Sequence, residues 1–299
     1  MFGSIEAGGT KFVCAVARED LEIIDRVSFP TRNPEETMVE VFAFFDRYQK
    51  ELKAIGIGSF GPIDIRHDSN TYGYITNTPK YAWRFFDFVG AVKDHLNVPV
   101  SWTTDVNAAA YGEAHLGAGK GYESVAYYTI GTGFGGGLVM NGEFVQGYSH
   151  PEMGHALARR HPDDHYSGHC PNHGDCLEGM ACGPAIEART GRRGQDISAD
   201  DPFWDIEAYY IAQSAYNTFL YLSPEVIIYG GGVMEKVGLI DKVRSHFEKL
   251  LNDYLPTPDL DRYLVKPELG NNSATLGCIL LAQHEFQLHI ELMESDSKK

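Results

Sequence analysis

The sequence is poor in basic residues for its length. Its 299 residues include 25 Lys and Arg against 41 Asp and Glu, which gives a formal net charge of −16 at pH 7. A surface of this charge repels the phosphates of nucleic acids and of anionic lipids. We therefore expect neither nucleic acid nor membrane as a partner. A small phosphorylated ligand is not excluded, because backbone amides and a metal ion can hold phosphate locally.

The sequence also lacks a secretion signal and a long apolar run. Its first residues, Met1 to Glu6, show no basic start followed by an apolar stretch. The longest apolar stretch near the C-terminus, residues 276–290, contains Glu285 and two histidines, and it is too short and too polar to span a bilayer. We expect a cytoplasmic protein of one large or two ordinary domains.

Cysteine is scarce and odd in number. The five cysteines are Cys14, Cys170, Cys176, Cys182 and Cys278. An odd count without a secretion signal argues against a disulfide framework, so reduced thiols are expected.

Glycine is abundant, and it is concentrated in three turns that directly follow predicted strands. These turns lie at Gly8-Gly9, at residues 131–137 and at residues 230–232. Without a Cβ, the backbone amides of such a turn can approach a phosphate closely, and Thr10 and Thr132 add hydroxyl groups. A single turn of this kind is more typical of a tight hairpin, but three of them favour a nucleotide.

Two established phosphate-binding motifs do not account for these turns. The P-loop G-x-x-x-x-G-K-[ST] fails at Gly119-Lys120, because Ala114 replaces its first glycine and Gly121 replaces its hydroxyl residue. Residues 131–136 match the dinucleotide fingerprint G-x-G-x-x-G, which requires a helix after the turn. Residues 138–142 instead predict a strand and a hairpin, which argues against a dehydrogenase.

Predicted strands and helices alternate along the chain, which indicates an α/β protein. Ser4–Ile5 and Phe12–Ala17 are predicted strands joined by a Gly-Gly turn, and the strand, turn, strand pattern recurs at residues 124–140. This weak duplication constrains the fold. The glycine-rich stretch 117–121 predicts the boundary to a second domain. We expect a smaller domain of residues 1–117, joined by a C-terminal helix at about 274–290, and a larger domain of residues 118–273.

Asp105 lies between a predicted strand and a predicted helix. Ligands of α/β sheets bind at such strand ends. A carboxylate there can orient an alcohol and accept its proton during phosphoryl transfer. Asp is also a preferred N-terminal helix cap, and the local sequence by itself favours the cap. The two roles are compatible.

Cysteine and histidine are clustered after residue 154. Cys170, His173 and Cys176 form the pattern C-x2-H-x2-C, and His155 lies upstream. Two thiolates and two imidazoles complete a tetrahedral zinc site with no open position, as in structural zinc sites. The alternative is surface histidines beside unrelated thiols. The histidines that could replace His155 are His161, His165 and His169.

Two carboxylates flank this predicted metal segment. A metal there would hold Glu152 and Glu178 at defined angles, which suits hydrogen bonds from the hydroxyl groups of a sugar. The alternative is that both are ordinary solvated charges.

Five segments together resemble the ROK family (repressors, open reading frames, kinases), and within it the bacterial fructokinases. The resemblance covers nearly the whole chain. The segments are residues 5–11, 104–110, 131–137, 150–155 and 170–178.

The resemblance implies an α/β fold of the actin-like ATPase (ribonuclease H-like) type, with two domains that close around a central cleft. It implies an ATP-dependent hexose kinase, a fructokinase above all, with Mg²⁺ accompanying ATP and a structural Zn²⁺. It also suggests a homodimer.

The resemblance further implies roles for individual residues. Asp105 would be the general base. The sugar would contact Asp105, Glu152, His155 and Glu178. Zinc would be bound by His155, Cys170, His173 and Cys176. ATP would be lined by Gly8, Gly9, Thr10, Lys11, Thr132, Gly133, Pro184, Gly230, Gly231, Gly232, Val233 and Met234.

The chain departs from the common family pattern at two places. Many members have Asp where this chain has Glu6, which keeps a carboxylate near magnesium but is one methylene longer. Many members carry C-x-C-G-x2-G-C where this chain has C-x2-H-x2-C, which resembles the fructokinase branch. This variant and His150-Pro151 before Glu152 favour fructose over glucose. The choice of sugar rests on the resemblance alone.

Three other functions compete with a fructokinase. ROK repressors carry a DNA-binding region before the first strand, whereas here that strand begins by residue 4 and the chain is acidic. A kinase for glucose, mannose or an N-acetylated hexosamine shares all the motifs. A non-catalytic sugar-sensing or binding module is disfavoured by Asp105.

Overall fold

The computed structural model describes residues 1–296, and the chain divides into two compact units. The first contains Met1–Gly112, Gln146–His150 and the C-terminal part from Asn271. The second contains Glu113–Val145 and Pro151–Gly270. The predicted boundary near residue 117 therefore lies inside the second unit.

The segment Gln146–His150 belongs to the first unit, although the sequence analysis placed it in the second domain. Two side chains of the segment explain this difference. Nε2 of His150 accepts a hydrogen bond from the Ile63 amide at 3.1 Å. The Arg66 guanidinium lies over the Tyr148 ring, 4.9 Å from its centroid. Such long-range contacts leave no pattern in the local sequence.

The two units are built from ten strands and nine α-helices within the described residues. The strands are β1 (Phe2–Ala7), β2 (Lys11–Ala17), β3 (Ile23–Pro30), β4 (Ala54–Ser59), β5 (Val100–Thr104), β6 (Ser124–Ile130), β7 (Phe134–Met140), β8 (Glu143–Phe144), β9 (Val226–Gly230) and β10 (Leu264–Val265). The helices are α1 (Pro34–Phe45), α2 (Phe88–Leu96), α3 (Asp105–Leu116), α4 (Leu177–Ala181), α5 (Gly183–Thr190), α6 (Phe203–Leu222), α7 (Leu239–Leu251), α8 (Leu260–Tyr263) and α9 (Ser273–Asp296). None of the helices in the described part of the chain has the length and apolarity needed to cross a bilayer.

The two sheets have the same topology. The first has the strand order β3-β2-β1-β4-β5. In this sheet β2 is antiparallel to both of its neighbours, β1 and β3, whereas β4 and β5 are parallel to β1. The second has the order β8-β7-β6-β9-β10, with the same directions. The duplication that the sequence predicts is confirmed by this repeated strand order.

One face of the first sheet carries the core, and the other receives α9 and α3. Ile5, Ile57 and Trp102 belong to the buried core of this unit. On the opposite face a Cβ on Gly56 would lie 2.0 Å from the Cys278 carbonyl oxygen, so α9 lies directly on the strands. A Cβ on Gly277 would lie 1.8 Å from the Ala108 carbonyl oxygen, so α3 and α9 cross at backbone contact.

Several elements have no clear signal in the sequence. The sequence predicts neither the edge strand β3 nor the helices α2 and α7. The stretch 156–203, which shows little regular pattern, contains the short helices α4 and α5. A cap formed by Cys176, whose Sγ accepts from the Gly179 amide at 3.5 Å, begins α4. Helices this short depend on such tertiary and capping contacts more than on periodicity.

Candidate active site and metal centre

Asp105 is the first residue of α3 and directly follows β5. Oγ1 of Thr104 accepts a hydrogen bond from the Asn107 amide at 3.1 Å, so Thr104 caps the helix. Oδ1 of Asp105 accepts from the Val106 amide at 2.9 Å. The cap that the local sequence assigned to Asp105 thus belongs to Thr104, and the half-buried Asp105 carboxylate stands at the strand end.

A second carboxylate lies at the same edge of this sheet. Glu6 is near the end of β1, and its Oε2 accepts from Oγ1 of Thr275 on α9 at 3.3 Å. Burial, and to a smaller extent the negative charge of Glu6, raise the pKa of Asp105 to about 6, although the hydrogen bond from the Val106 amide opposes this shift. Burial also raises the pKa of Glu6. An aspartate that titrates near neutrality is suited to accept a proton.

Gly58 on β4 lies between Glu6 on β1 and the start of α3, where Asp105 is located. It is the register partner of Glu6 on β1 and of Thr103 on β5. A Cβ on Gly58 would lie 2.9 Å from Ala108 Cβ and 3.2 Å from Asp105 Cα. Glycine at this position therefore allows α3 to approach the sheet, and no side chain from position 58 stands between the two acids.

The first predicted phosphate turn lies at this sheet edge as well. The Gly8 amide donates to the Lys11 carbonyl at 3.0 Å, which closes the turn between β1 and β2. Oγ1 of Thr31 donates to the Gly8 carbonyl at 2.7 Å. Gly9 is half-buried, whereas Thr10 and the Lys11 side chain are exposed. The turn is thus held by Thr31, the residue after β3, while part of it faces solvent.

In the second unit the predicted nucleotide residues of three separate segments come together. The Gly183 amide donates to the Gly131 carbonyl at 2.7 Å, which places Pro184 beside the turn that contains Thr132 and Gly133. A Cβ on Gly131 would lie 3.8 Å from the Gly232 amide nitrogen, so the turn after β9 is adjacent too. The turn at residues 131–133 is followed by a strand, β7, so the prediction against a dinucleotide fingerprint is confirmed.

The turn after β9 requires its glycine. Gly231 has a φ of 89°, and a Cβ there would lie 2.4 Å from the Ile130 carbonyl oxygen. The side chains of Val233 and Met234 are buried in the hydrophobic core of this unit. Those two residues can therefore meet a nucleotide only through their backbone.

Glu178 links the glycine turn to the histidine of the metal cluster. Its Oε2 accepts from the Phe134 amide at 3.1 Å, and a Cβ on Gly133 would lie 2.9 Å from the same oxygen. Its Oε1 lies 3.9 Å from Nε2 of His155. The Glu152 carbonyl accepts from the His155 amide at 3.0 Å. Glu152, His155 and Glu178 are therefore neighbours within one unit.

His155, Cys170, His173 and Cys176 form one cluster, with all four potential ligand atoms within 4.8 Å of one another. The two histidine Nδ1 atoms are 3.3 Å apart, and the Sγ–Nδ1 distances are 3.7, 3.7 and 3.5 Å. Tetrahedral zinc with ordinary bond lengths requires about 3.3 Å between two nitrogens and about 3.6 Å between sulfur and nitrogen. The donor set and its spacing therefore fit a zinc ion.

The cluster also selects among the histidines that the sequence left open. His155 supplies the upstream ligand atom. Within residues 1–296, the cluster of possible metal ligands includes none of His161, His165 or His169. His155 is delivered by a short 3₁₀ turn, Met153–His155, which begins beside β7. A Cβ on Gly154 would lie 1.5 Å from the Phe134 carbonyl oxygen, so this turn packs against the strand through its glycine.

A buried network of charged side chains, centred on Arg189, is not indicated by the sequence. Nη2 of Arg189 donates to the Met180 carbonyl at 2.7 Å, which ties α5 to α4. Its guanidinium also lies 3.4 Å from Asp164 and 3.7 Å from Glu207. Burial raises the pKa of Glu207 well above its usual value. No local signal distinguishes these residues from surface charges, since only folding brings them together.

Comparison with known proteins identifies the family. Residues 2–285 match the ROK family. The chain belongs to the ROK family. Its ROK relatives include a protein named fructokinase from Streptococcus mutans, which is 50% identical over 287 residues and covers 95% of this chain and 97% of its own.

Two solved ROK structures have the same fold. The ROK hexokinase from Thermus thermophilus has a TM-score of 0.78 and 26% identity, with 96% of this chain and 99% of that chain covered. A ROK family glucokinase from Streptomyces griseus, in complex with glucose and AMPPNP, has a TM-score of 0.75 and 25% identity, with 95% and 99% covered. The predicted α/β fold of the actin-like ATPase type is confirmed.

Proposed function

We propose that this protein is an ATP-dependent fructokinase that converts fructose and ATP to fructose 6-phosphate and ADP. The observation that carries the chemistry is the Asp105 carboxylate, which stands at a strand end with its pKa raised to about 6. The choice of fructose is supported by the 50% identity to a relative named fructokinase. The ROK glucokinase structure with glucose and AMPPNP supports a sugar and ATP as the two substrates.

In this proposal Asp105 orients the acceptor hydroxyl and takes its proton as the oxygen attacks the terminal phosphorus. The turns at Gly8–Lys11 and Thr132–Gly133, with Gly230–Met234, bind ATP through backbone amides and hydroxyl groups, and Pro184 adds an apolar contact. Mg²⁺ accompanies ATP and neutralises phosphate charge.

Zinc is proposed as a structural ion bound by His155, Cys170, His173 and Cys176. Zinc at Nδ1 of His155 leaves its Nε2–H as a hydrogen-bond donor. Glu178 adds a carboxylate acceptor 3.9 Å from this nitrogen, and Glu152, whose carbonyl accepts from the His155 amide, supplies a second carboxylate. This combination of one donor and two acceptors suits the hydroxyl groups of a hexose. Asp105 completes the proposed sugar-binding set.

The proposal is tested by ADP production with Mg²⁺ and ATP against fructose, mannose, glucose, N-acetylglucosamine and N-acetylmannosamine. We expect fructose to give the highest kcat/KM. The Asp105→Asn protein, purified in parallel, controls for contaminating kinases. If another hexose is preferred, only the sugar assignment falls. If no sugar is turned over, the catalytic proposal is wrong and a binding or sensing role replaces it.

The acid limb of the pH profile tests the state of Asp105. Because a base must be deprotonated, turnover should fall as the pH drops through about 6, the raised pKa of Asp105. Glu6→Gln removes the nearby negative charge, so it should move this limb to lower pH. Glu35→Gln, at an exposed site on α1, is the matched control and should leave the limb in place. An unmoved limb in Glu6→Gln would contradict the coupling of the two acids.

We also propose a cytoplasmic location and a homodimer. The location is supported by the five free cysteines, since reduced thiols are typical of the cytoplasm. The dimer rests on the family resemblance and is tested by light scattering of the purified protein. A monomer at micromolar concentration would refute it.

A further inference from the structure

Lys80 lies on a well-anchored loop of the first unit, between β4 and α2. Thr78 is buried, and its Oγ1 accepts from the Lys80 amide at 3.4 Å. The Lys80 carbonyl accepts from the Trp83 amide at 2.8 Å. Nε1 of Trp83 donates to the Arg32 carbonyl at 2.7 Å, and its buried ring stacks on Phe12 of β2 at 5.3 Å. The position of Lys80 is thus set by the hairpin that carries the first glycine turn.

The Lys80 side chain lies over that turn. A Cβ on Gly9 would be 3.3 Å from Cε of Lys80, the carbon that carries the ammonium group. The half-buried side chain is also near Phe60, with Nζ 5.9 Å from the ring centroid. Phe60 is fixed in turn, because its amide donates to the Ala7 carbonyl at 2.7 Å. The ammonium is therefore held beside the Gly8-Gly9 turn by aromatic packing.

The ammonium has no anionic partner. Within residues 1–296 no carboxylate forms an ion pair with Lys80, whereas Lys53 of the same unit is paired with Glu19. Arg32, which follows β3, is paired with Glu36 and Glu40. A cation that is positioned by its neighbours but left without a counter-charge, next to a phosphate-binding turn, is arranged to receive an anion.

We propose that Lys80 binds the terminal phosphoryl group of ATP, an inference that rests on the proposed kinase function. The transferred group must lie within reach of both the phosphate turn and the base. Gly8 follows β1 and Asp105 follows β5, and these strands are both parallel to β4 between them, so both residues lie at one edge of the sheet. Lys80 joins them from the adjoining loop.

The role of Lys80 in the reaction is electrostatic. The bond between the sugar oxygen and the terminal phosphorus forms as the bond from that phosphorus to the bridging oxygen of ADP breaks. The hydroxyl proton passes to Asp105, and ADP leaves with the electron pair. Lys80 stays protonated throughout and balances charge on the non-bridging oxygens of the transferred group. Lys11 extends from the same turn but is exposed, so it is less confined.

Lys80→Met removes the charge with little change in length, and Lys80→Arg keeps it. We expect kcat/KM for ATP to fall about 100- to 1000-fold in Lys80→Met, the range seen when one electrostatic contact to a reacting group is removed, with partial recovery in Lys80→Arg. Lys93→Met, at an exposed site on α2 of the same unit, is the matched control and should retain wild-type turnover. Circular dichroism and melting curves establish that each variant is folded.

Binding separates this role from a structural one. With Mg²⁺ present, Lys80→Met should weaken the β,γ-imido analogue of ATP about 10-fold while the affinity for ADP, which lacks the terminal group, changes less than about 2-fold. Equal weakening of both nucleotides, a change in the sugar KM alone, or turnover equal to that of Lys93→Met would each overturn the proposal. If wild-type protein phosphorylates no sugar, the kinase function fails, whereas the comparison of the two nucleotides still decides where Lys80 acts.

Discussion

We expect Asp105→Asn to fold, to bind sugar and to lose turnover by at least ~100-fold, because removal of a general base acts mainly on the transition state. Asparagine keeps the size and the hydrogen-bonding oxygen of Asp105 but cannot accept the proton. The measurement is steady-state kcat with fructose, together with the dissociation constant of fructose by calorimetry. Asp94→Asn, at an exposed site on α2, is the matched control.

The same substitution should not cost stability. The folded-state pKa of Asp105 is raised from 3.8 to about 6, so folding favours its protonated form. The stabilisation from protonated Asp105 is complete below its unfolded value and is lost as the pH rises through about 6. At pH 7 to 8 the ionised carboxylate therefore opposes folding, and the neutral amide does not. A Tm equal to or above wild type is expected, and turnover near wild type would remove Asp105 as the base.

Cys176→Ser should cost both zinc and thermal stability. The substitution removes one of the two thiolates from the cluster, and metal binding at such sites contributes directly to folding free energy. We expect zinc to fall from one per chain to well below one. We expect Tm to fall by several degrees, because each ~1 kcal/mol lost corresponds to about 2–4 °C in a domain of this size. Metal analysis and scanning calorimetry on the same samples measure both effects.

Cys182→Ser is the matched control for Cys176→Ser. Cys182 is equally buried and lies in the same unit, but it does not belong to the cluster. It should retain zinc, so a loss confined to Cys176→Ser identifies a missing ligand and not a missing buried thiol. Unchanged zinc content and melting in Cys176→Ser would remove the metal site from the proposal.

The repeated fold could be predicted because its signals are local. The Gly-Gly hairpin at Gly8-Gly9 and its counterpart near Gly131 are marked by strand, turn and strand in the sequence, and both are present in the structure. The edge strand β3 and the short helices α4 and α5 carry no comparable pattern. Their stability comes from pairing, capping and packing, which involve residues distant in sequence.

The sequence by itself determined the proposed metal ligands of one short segment and the place of the proposed catalytic carboxylate. Cys170, His173 and Cys176 are close in the chain, and Asp105 lies at a change from strand to helix. Both features are local, so the sequence alone indicates them. Only the tertiary structure decided which histidine completes the cluster. It also decided which residue caps α3, since Thr104 takes this role in place of Asp105.

The tertiary structure also decided the electrostatics of the first sheet edge. It brings Glu6 close enough to raise the pKa of Asp105, and it places Lys80 over Gly9. These relations join residues that are far apart in the chain, through the parallel register of β1, β4 and β5 and the packing of Trp83. Burial and the distance between charges are properties of the folded chain, and no local pattern of residues encodes them.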